Sequence, residues 1–214
     1  MHQRELHEYQ KGWRANAGRK PSPHSGMPHL TRDRVKKCNP MHITAKVHKD
    51  VPNMRSWRLA PTIIAAIKAG SDRFGCRAVE FSLQGNHLHM IVEAREKGDV
   101  AKFMIGLGVR IAKAINSVVG RIGSVFADRY HRTDLLSLQQ VRNTIRYVLC
   151  NANKHGETLP GKLDPFSSAF WFKHWLGIKT PLESNSPVAQ ATNWKLLNWR
   201  SRYGPIDPDH FLAK

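Results

Sequence analysis

The sequence predicts an α+β fold with the ferredoxin-like order βαββαβ, in which an antiparallel sheet carries helices on one face, and one additional helix follows. Three observations predict this fold. Apolar and polar residues alternate over residues 41–48, the pair Gly85-Asn86 joins two further alternating segments, and two long apolar stripes of helical period separate the strands. Such a split βαβ arrangement leaves the second face of the sheet open, and we expect the last helix to cover it.

The first four elements follow from local patterns. Residues 41–47 alternate as a strand covered on one face requires. A helix follows, because Pro61 stands where a first helical turn tolerates proline and apolar residues recur at helical spacing as far as Gly75. Residues 79–84 alternate again, and Gly85-Asn86 turns the chain into the strand HLHMIVEA.

The second half of the domain starts with a long amphipathic helix, for which Asp99 is a plausible N-cap. The segment VFADRYHRTDLL, residues 125–136, is typical of a fourth, partly polar strand. Ser137, with Gln140 three residues later, forms a capping box for a final helix that we expect to end at Gly156.

The formal net charge is +18, and the excess of lysine and arginine is largest in residues 41–156. A positive field attracts polyanions through counterion release, which makes nucleic acid the predicted partner, although a solubilising surface or a ribosome-associated protein has the same charge. Residues 1–40 are interpreted as a flexible basic arm that lies along phosphates or in a minor groove, or is a solvated linker. Residues 157–214 form an extension rich in tryptophan and proline, which we expect to pack on the domain, with base stacking as the alternative.

Cysteine usage and hydropathy indicate the compartment. The three cysteines are odd in number and show no CxxC spacing, which favours neither a disulfide framework nor a zinc ribbon. No apolar run is long enough to span a membrane, and the N-terminus lacks an apolar signal segment. We expect a cytoplasmic, nucleoid-associated protein with no membrane partner.

His87 and His89 lie two residues apart on a predicted strand, so their imidazoles project from one face, as two ligands of one metal must. The spacing alone also fits two exposed strand histidines. On the final helix, Tyr147 borders the apolar stripe and Asn151 lies one turn further along the same polar face. That polar face comprises Gln140, Asn143, Thr144, Tyr147, Asn151 and Lys154.

The segments QGNHLHMIVEA, FADRYHRTDLL and RYVLCNANKHG resemble the REP-associated tyrosine transposases, which are IS200-like members of the HUH single-tyrosine superfamily. The resemblance covers residues 41–156 in element order and spacing. It implies that His87 and His89 bind the metal, that Tyr147 is the nucleophile and that Asn151 is the third metal ligand. Where relatives usually have Asn-Pro, this chain has Asn151-Ala152, which would let the helix run slightly further.

The resemblance further implies a metal-dependent DNA strand-transferase. With Mg²⁺ or Mn²⁺ as cofactor, it would nick and rejoin single-stranded or hairpin DNA at palindromic repeats, through a 5′-phosphotyrosine intermediate, as a monomer or homodimer. From their positions on predicted polar faces, we expect contacts to DNA from Lys102, Arg110, Lys113, Arg129, Arg132 and Lys154.

Several alternative functions fit the same sequence. A non-catalytic ferredoxin-like nucleic-acid-binding module, such as a domesticated relative, would bind DNA without any metal dependence. A metal hydrolase that uses an activated water would nick DNA without becoming attached to it. Tyr130 is the rival nucleophile, although no amide is expected beside its hydroxyl. His42 and His48, six residues apart on the first strand, are interpreted as surface residues.

Overall fold

The computed structural model describes residues 39–96, 99–154, 163–180 and 184–209. Apart from Asn39 and Pro40, the basic arm expected at residues 1–40 lies outside the described residues. Within these residues, five strands form one antiparallel sheet in the order β2-β3-β4-β1-β5. The strands are β1 (Met41–Lys46), β2 (Asp72–Arg73), β3 (Cys76–Leu83), β4 (His87–Ala94) and β5 (His131–Asp134). Without the two-residue β2, this is the strand order of the ferredoxin-like fold, and the predicted fold class is confirmed.

Two helices, α1 (Ala60–Gly70) and α2 (Asp99–Val119), cover one face of the sheet. The predicted stripe of α2 is buried there, together with every second residue of β1. The first helix ends at Gly70 and does not reach Gly75 as predicted. Phe74 and Gly75 have φ of 54° and 69°, and this tight turn sends the chain back as the small β2–β3 hairpin.

The other face of the sheet is covered by α3 (Leu138–Leu149), as expected for the last helix of the domain. The predicted capping box is present, because the Ser137 hydroxyl accepts from the backbone N–H of Gln140 and the Gln140 side chain accepts from that of Ser137. Val141, Ile145 and Val148 are buried against Ile91 of β4 and its neighbours. The sheet therefore has an apolar layer on both faces.

The prediction of one continuous helix as far as Gly156 is wrong. Cys150, with φ −103° and ψ 13°, leaves helical geometry, and a separate turn α4 (Asn151–Lys154) follows. Ala152 in place of proline does not extend the helix, because the interruption occurs two residues earlier. Asn151 and Ala152 are both buried beyond the break. Gly156 itself lies outside the part of the chain that the structure describes.

The C-terminal extension is fixed to the rest of the domain by two buried carboxylates. Asp164 pairs with Arg55, at 2.9 Å between Oδ2 and Nη1. Glu93 of β4 accepts from the backbone N–H groups of Thr192 and Asn193, immediately before helix α5 (Trp194–Tyr203). Between these anchors runs a short 3₁₀ helix (Ser168–Trp171).

Helix α5 packs against α3. Trp175 and Trp199 are buried in this layer, as the packing interpretation of the tryptophan-rich extension requires, whereas Trp194 is 64% exposed. No described helix combines the length and the apolar character needed to cross a membrane.

Candidate active site

A cleft of about 1020 Å³ opens between α3 and the sheet. Its floor consists of polar side chains of β1 and β4, and one end is formed by the β3–β4 turn at Gly85 and Asn86. The polar face of α3 forms the opposite wall with Gln140, Asn143, Thr144 and Tyr147. The cleft exists because the floor strands present polar residues on this face, where an apolar layer would otherwise meet the helix.

His87 and His89 lie side by side on this floor. Their ring centroids are 6.3 Å apart and their planes differ by 15°, as residues two apart on one strand should be arranged. His89 is only 8% exposed, whereas His87 is partly exposed near the turn. Leu88 and Met90, between and beside them, are buried in the opposite layer with α1 and α2.

Neighbouring side chains orient both rings. His87 Nδ1 donates to Asn86 Oδ1 at 2.6 Å, since an amide oxygen can only accept. His89 Nδ1 lies 3.2 Å from Thr44 Oγ1, the residue paired with it across the β1–β4 ladder. When Nδ1 carries the proton in both rings, Nε2 carries the lone pair, which is the state that a metal-binding imidazole needs.

Electrostatics favour the neutral form of His87. Burial, followed by the positive charge of Lys46 opposite it on β1, lowers the pKa of His87 below its ordinary value. A neutral imidazole is the form that binds a cation, so this shift suits a ligand.

Tyr147 extends from α3 to the ring of His89. Its ring meets His89 edge to face, with centroids 5.4 Å apart and an interplanar angle of 84°. Helical periodicity gives it this position, because Asn143 and Tyr147 are four residues apart and both line the cleft. The structure thus brings the two histidines and the tyrosine together.

Asn151 also lines the cleft, at the start of α4. It is 2% exposed, and its Oδ1 is a buried oxygen without a hydrogen-bond partner in the structure. An unsatisfied buried acceptor costs on the order of 1–3 kcal/mol, so this oxygen is suited to a cation or a donor that enters the cleft.

The imidazoles of His87 and His89 suit a divalent cation only if an amide oxygen serves as a third ligand. Among the residues that the structure describes, no three His, Cys, Asp or Glu side chains are grouped so that they could hold a metal ion. Two imidazole nitrogens and one carboxamide oxygen are nevertheless chemically suitable ligands for Mn²⁺ and, less strongly, Mg²⁺. The unsatisfied Oδ1 of Asn151 makes it the amide that best fits this position.

His42 is the residue that sequence reasoning missed. Its interpretation as a surface residue is wrong, because it lines the cleft, stacks on His89 at 5.4 Å and meets Tyr147 edge-on at 5.8 Å. Burial, followed by the positive charge of His131, lowers the pKa of His42 to about 4. The buried Nε2 of His42 has no hydrogen-bond partner in the structure. The sequence indicates only that His42 and Thr44 lie on the same face of β1. The register of β1 against β4 is needed to show that this face carries His89. His48, by contrast, is 44% exposed beside Asp50, as expected.

Of the six cations expected to bind DNA, the five whose side chains the structure describes do not line the cleft, whose described lining contains no lysine or arginine. Helix α2, which carries three of them, covers the opposite face of the sheet. Arg132 pairs with Ile43 in the ladder, which directs it to that same opposite face, and it forms an ion pair with Asp134 at 3.1 Å. Arg129 lines a separate cavity of about 310 Å³ beside α2. The α2 residues are Lys102, Arg110 and Lys113, and the side chain of Lys154 lies outside the described part of the chain.

Tyr130, the rival nucleophile, is separated from the histidines. It lines the same cavity as Arg129 and packs against the layer between the sheet and α1 and α2. The sheet therefore stands between Tyr130 and the cleft.

The sequence matches a known family, and the fold is similar to that of a solved structure. A family model described as IS200-like transposase matches residues 39–149, a range that includes His87, His89 and Tyr147 and ends before Asn151. A solved structure of a REP-associated tyrosine transposase bound to a REP hairpin is similar over 78% of this chain and 100% of that chain, with 15% identity and a TM-score of 0.53. A putative transposase from Deinococcus radiodurans R1 aligns over 54% of this chain and 94% of that chain, with 10% identity and a TM-score of 0.40. No curated protein matches the sequence.

Proposed function

The chain belongs to the IS200-like transposase family, and we propose that it cleaves and rejoins single-stranded or hairpin DNA through a covalent bond to Tyr147. The observation that carries this proposal is the edge-to-face contact of Tyr147 with His89, at 5.4 Å, inside one cleft. A nucleophile and a candidate metal-binding pair from distant parts of the sequence meet there. The family match supports a transposase role, and the cleft supplies the residues for the chemistry.

In the proposed reaction, the Tyr147 phenol loses its proton and its oxygen attacks the scissile phosphorus. A phosphorus–oxygen bond to Tyr147 forms as the bond to the 3′-oxygen breaks, and that oxygen takes up a proton to become a 3′-OH. The 5′-phosphotyrosine ester retains the energy of the cleaved phosphodiester. A 3′-OH can therefore attack it and release Tyr147, so strands are rejoined without ATP.

His87, His89 and Asn151 would hold the divalent ion in this proposal. When bound, Mg²⁺ or Mn²⁺ supplies charge stabilisation at phosphate oxygens, worth several kcal/mol in the transition state. The chain's own contribution is orientation. Asn86 and Thr44 fix the two imidazole rings, and the α3 capping box fixes the helix that carries Tyr147.

We propose DNA with hairpin character, at palindromic repeats, as the substrate. The solved relative that shares this fold is bound to a REP hairpin, and a chain of net charge +18 attracts a polyanion. The lining of the cleft is rich in amide and hydroxyl groups, such as Gln84, Asn143 and Thr133. These groups suit contacts with unpaired base edges. Action as a monomer or as a homodimer fits this proposal equally.

The direct test uses labelled hairpin oligonucleotides incubated with Mn²⁺ and resolved on a denaturing gel. Wild-type protein should form a covalent adduct that EDTA prevents, and Tyr147→Phe should form none. Tyr130→Phe is the matched control and should retain the adduct. An adduct that persists in Tyr147→Phe would overturn the proposal. Nicked DNA with no attached protein would instead favour a hydrolase, and metal-independent binding without cleavage would favour a binding module.

A second measurement tests the metal ligands without any reaction. Mn²⁺ binding to the protein alone, followed by electron paramagnetic resonance, should weaken by at least about tenfold in His89→Ala, since that variant removes an entire ligand. His48→Ala removes an exposed histidine and should bind Mn²⁺ as the wild type does. Equal affinity in His89→Ala and His48→Ala would remove the histidine pair from the proposed site.

A further inference from the structure

Trp57 is 74% exposed, more than any other tryptophan that the structure describes. It lies in the segment between β1 and α1, outside the cleft lining. Isolated exposed apolar residues are ordinary on protein surfaces. Trp57 differs because its ring packs on another aromatic ring and because its segment contacts the turn at one end of the cleft.

The ring of Trp57 rests on Phe166 of the C-terminal extension, with centroids 4.9 Å apart and an interplanar angle of 55°. Phe166 is fixed in turn by the guanidinium of Arg55, which lies 4.9 Å from its ring centroid. Arg55 donates to both carboxylate oxygens of Asp164, at 2.9 and 3.2 Å, and to the backbone oxygen of Leu83 at 2.9 Å. This ion pair is buried, and it anchors the residues beneath Trp57.

The segment that carries Trp57 borders the mouth of the cleft. The backbone N–H of Met54 donates to the oxygen of Gly85 at 3.0 Å, and Gly85 and Asn86 line the cleft immediately before His87. Asn53 lies against the same turn, with its Oδ1 3.6 Å from the point where a side chain on Gly85 would begin. The segment that carries Trp57 is therefore joined directly to the turn that forms one end of the cleft.

We propose that Trp57 is a stacking platform for one nucleobase of the single-stranded DNA that extends from the cleft. This inference rests on the proposed function, because it takes the cleft to hold the DNA strand. Every base has a π face, so an aromatic platform binds without regard to base identity, whereas hydrogen-bonding groups inside the cleft select bases. Trp57 thus adds affinity for a single-stranded flank and leaves sequence choice to the cleft.

The test measures DNA binding by fluorescence anisotropy, with Tyr147→Phe as the background so that the DNA stays intact. The probes are hairpins with a single-stranded flank on either side, and a set in which one flanking position at a time is abasic. Trp57→Ala should weaken binding of the intact probe by about 5- to 150-fold, the range measured for loss of one base–aromatic stack. Trp57→Phe should restore most of the affinity. Trp194→Ala, which removes a comparably exposed tryptophan from α5, should have no effect.

The decisive readout is the coupling between the protein change and the DNA change. At one flanking position, an abasic nucleotide should weaken binding to the Trp57 protein and leave binding to Trp57→Ala unchanged. A loss of affinity that is the same for every probe, or no loss at all, would overturn the platform. Thermal unfolding of Trp57→Ala shows whether the variant is folded. The adduct assay with wild-type protein is independent of this result, so failure of the platform and failure of the proposed function are distinguishable.

Discussion

The imidazole of His42 stacks on that of His89, with ring centroids 5.4 Å apart and planes that differ by 23°. The two residues are 47 positions apart in the chain and meet because β1 and β4 are antiparallel neighbours, with Thr44 directly opposite His89. The same His42 ring lies edge-on to Tyr147 at 5.8 Å. One imidazole therefore packs against both a candidate metal ligand and the candidate nucleophile.

We expect His42→Ala to slow adduct formation by about 10- to 100-fold, the usual effect of removing a group that orients a ligand. His42→Phe retains an aromatic ring at this position and should preserve most of the rate. The measurement is the rate of adduct formation at saturating Mn²⁺, together with Mn²⁺ affinity in the absence of DNA. A rate in His42→Ala equal to that of His48→Ala would show that the stacked ring has no positioning role.

Glu80 makes stability depend on pH. Burial raises the pKa of Glu80 to about 8, against a smaller opposing effect of the hydroxyl of Ser168, which donates to Oε2. In the unfolded chain the carboxyl ionises near pH 4.5, so between that pH and 8 the folded state binds more protons. The protonated carboxyl is tolerated at low pH, and stability falls as pH rises through this window.

Glu80→Gln should remove this dependence. Relative to the wild type, its free energy of unfolding should rise from pH 5 to pH 9 by about 4 kcal/mol, since about three pKa units of the shift fall in this range and each corresponds to about 1.4 kcal/mol. Urea denaturation of both proteins at pH 5, 7 and 9 measures the difference. Identical pH profiles would mean that Glu80 is ionised in the folded protein near neutral pH.

The buried pair of Arg55 and Asp164 fixes the C-terminal extension to the domain, with side chains only 7% and 1% exposed. Asp164→Ala leaves the Arg55 charge buried without its carboxylate, which should lower the free energy of unfolding by about 3–5 kcal/mol. Asp50→Ala removes an exposed partner of His48 and should change stability by less than about 1 kcal/mol. Urea denaturation compares the two, and equal effects would contradict an anchoring role for Asp164.

Local sequence patterns predicted most of the fold. They also predicted the faces on which three residues of the candidate site lie, namely His87, His89 and Tyr147. Alternation places His87 and His89 on one face of β4, and the Ser137 capping box together with helical period places Tyr147 on the polar side of α3. Each of these features depends on residues close together in the chain. A short pattern of this kind is sufficient to predict which side chains share a face.

The incorrect predictions concern features that depend on contacts between segments far apart in the chain. The role of His42 depends on the register of β1 against β4, and the direction of Arg132 depends on the register of β5 against β1. Asp164 meets Arg55 across 109 positions of sequence, which no periodicity can indicate. The interruption at Cys150 likewise carries no proline or glycine signal, so it becomes visible only in the folded chain.

Mass spectrometry of the protein after reaction with a hairpin oligonucleotide identifies the residue that becomes attached to DNA. Trypsin cuts after Arg146 and Lys154, and after Arg129 and Arg132, so Tyr147 and Tyr130 lie in different peptides. We expect a nucleotide mass on the peptide YVLCNANK, residues 147–154, and we expect it to depend on Mn²⁺. A nucleotide on the peptide YHR, residues 130–132, or cleaved DNA with both peptides unmodified, would contradict it.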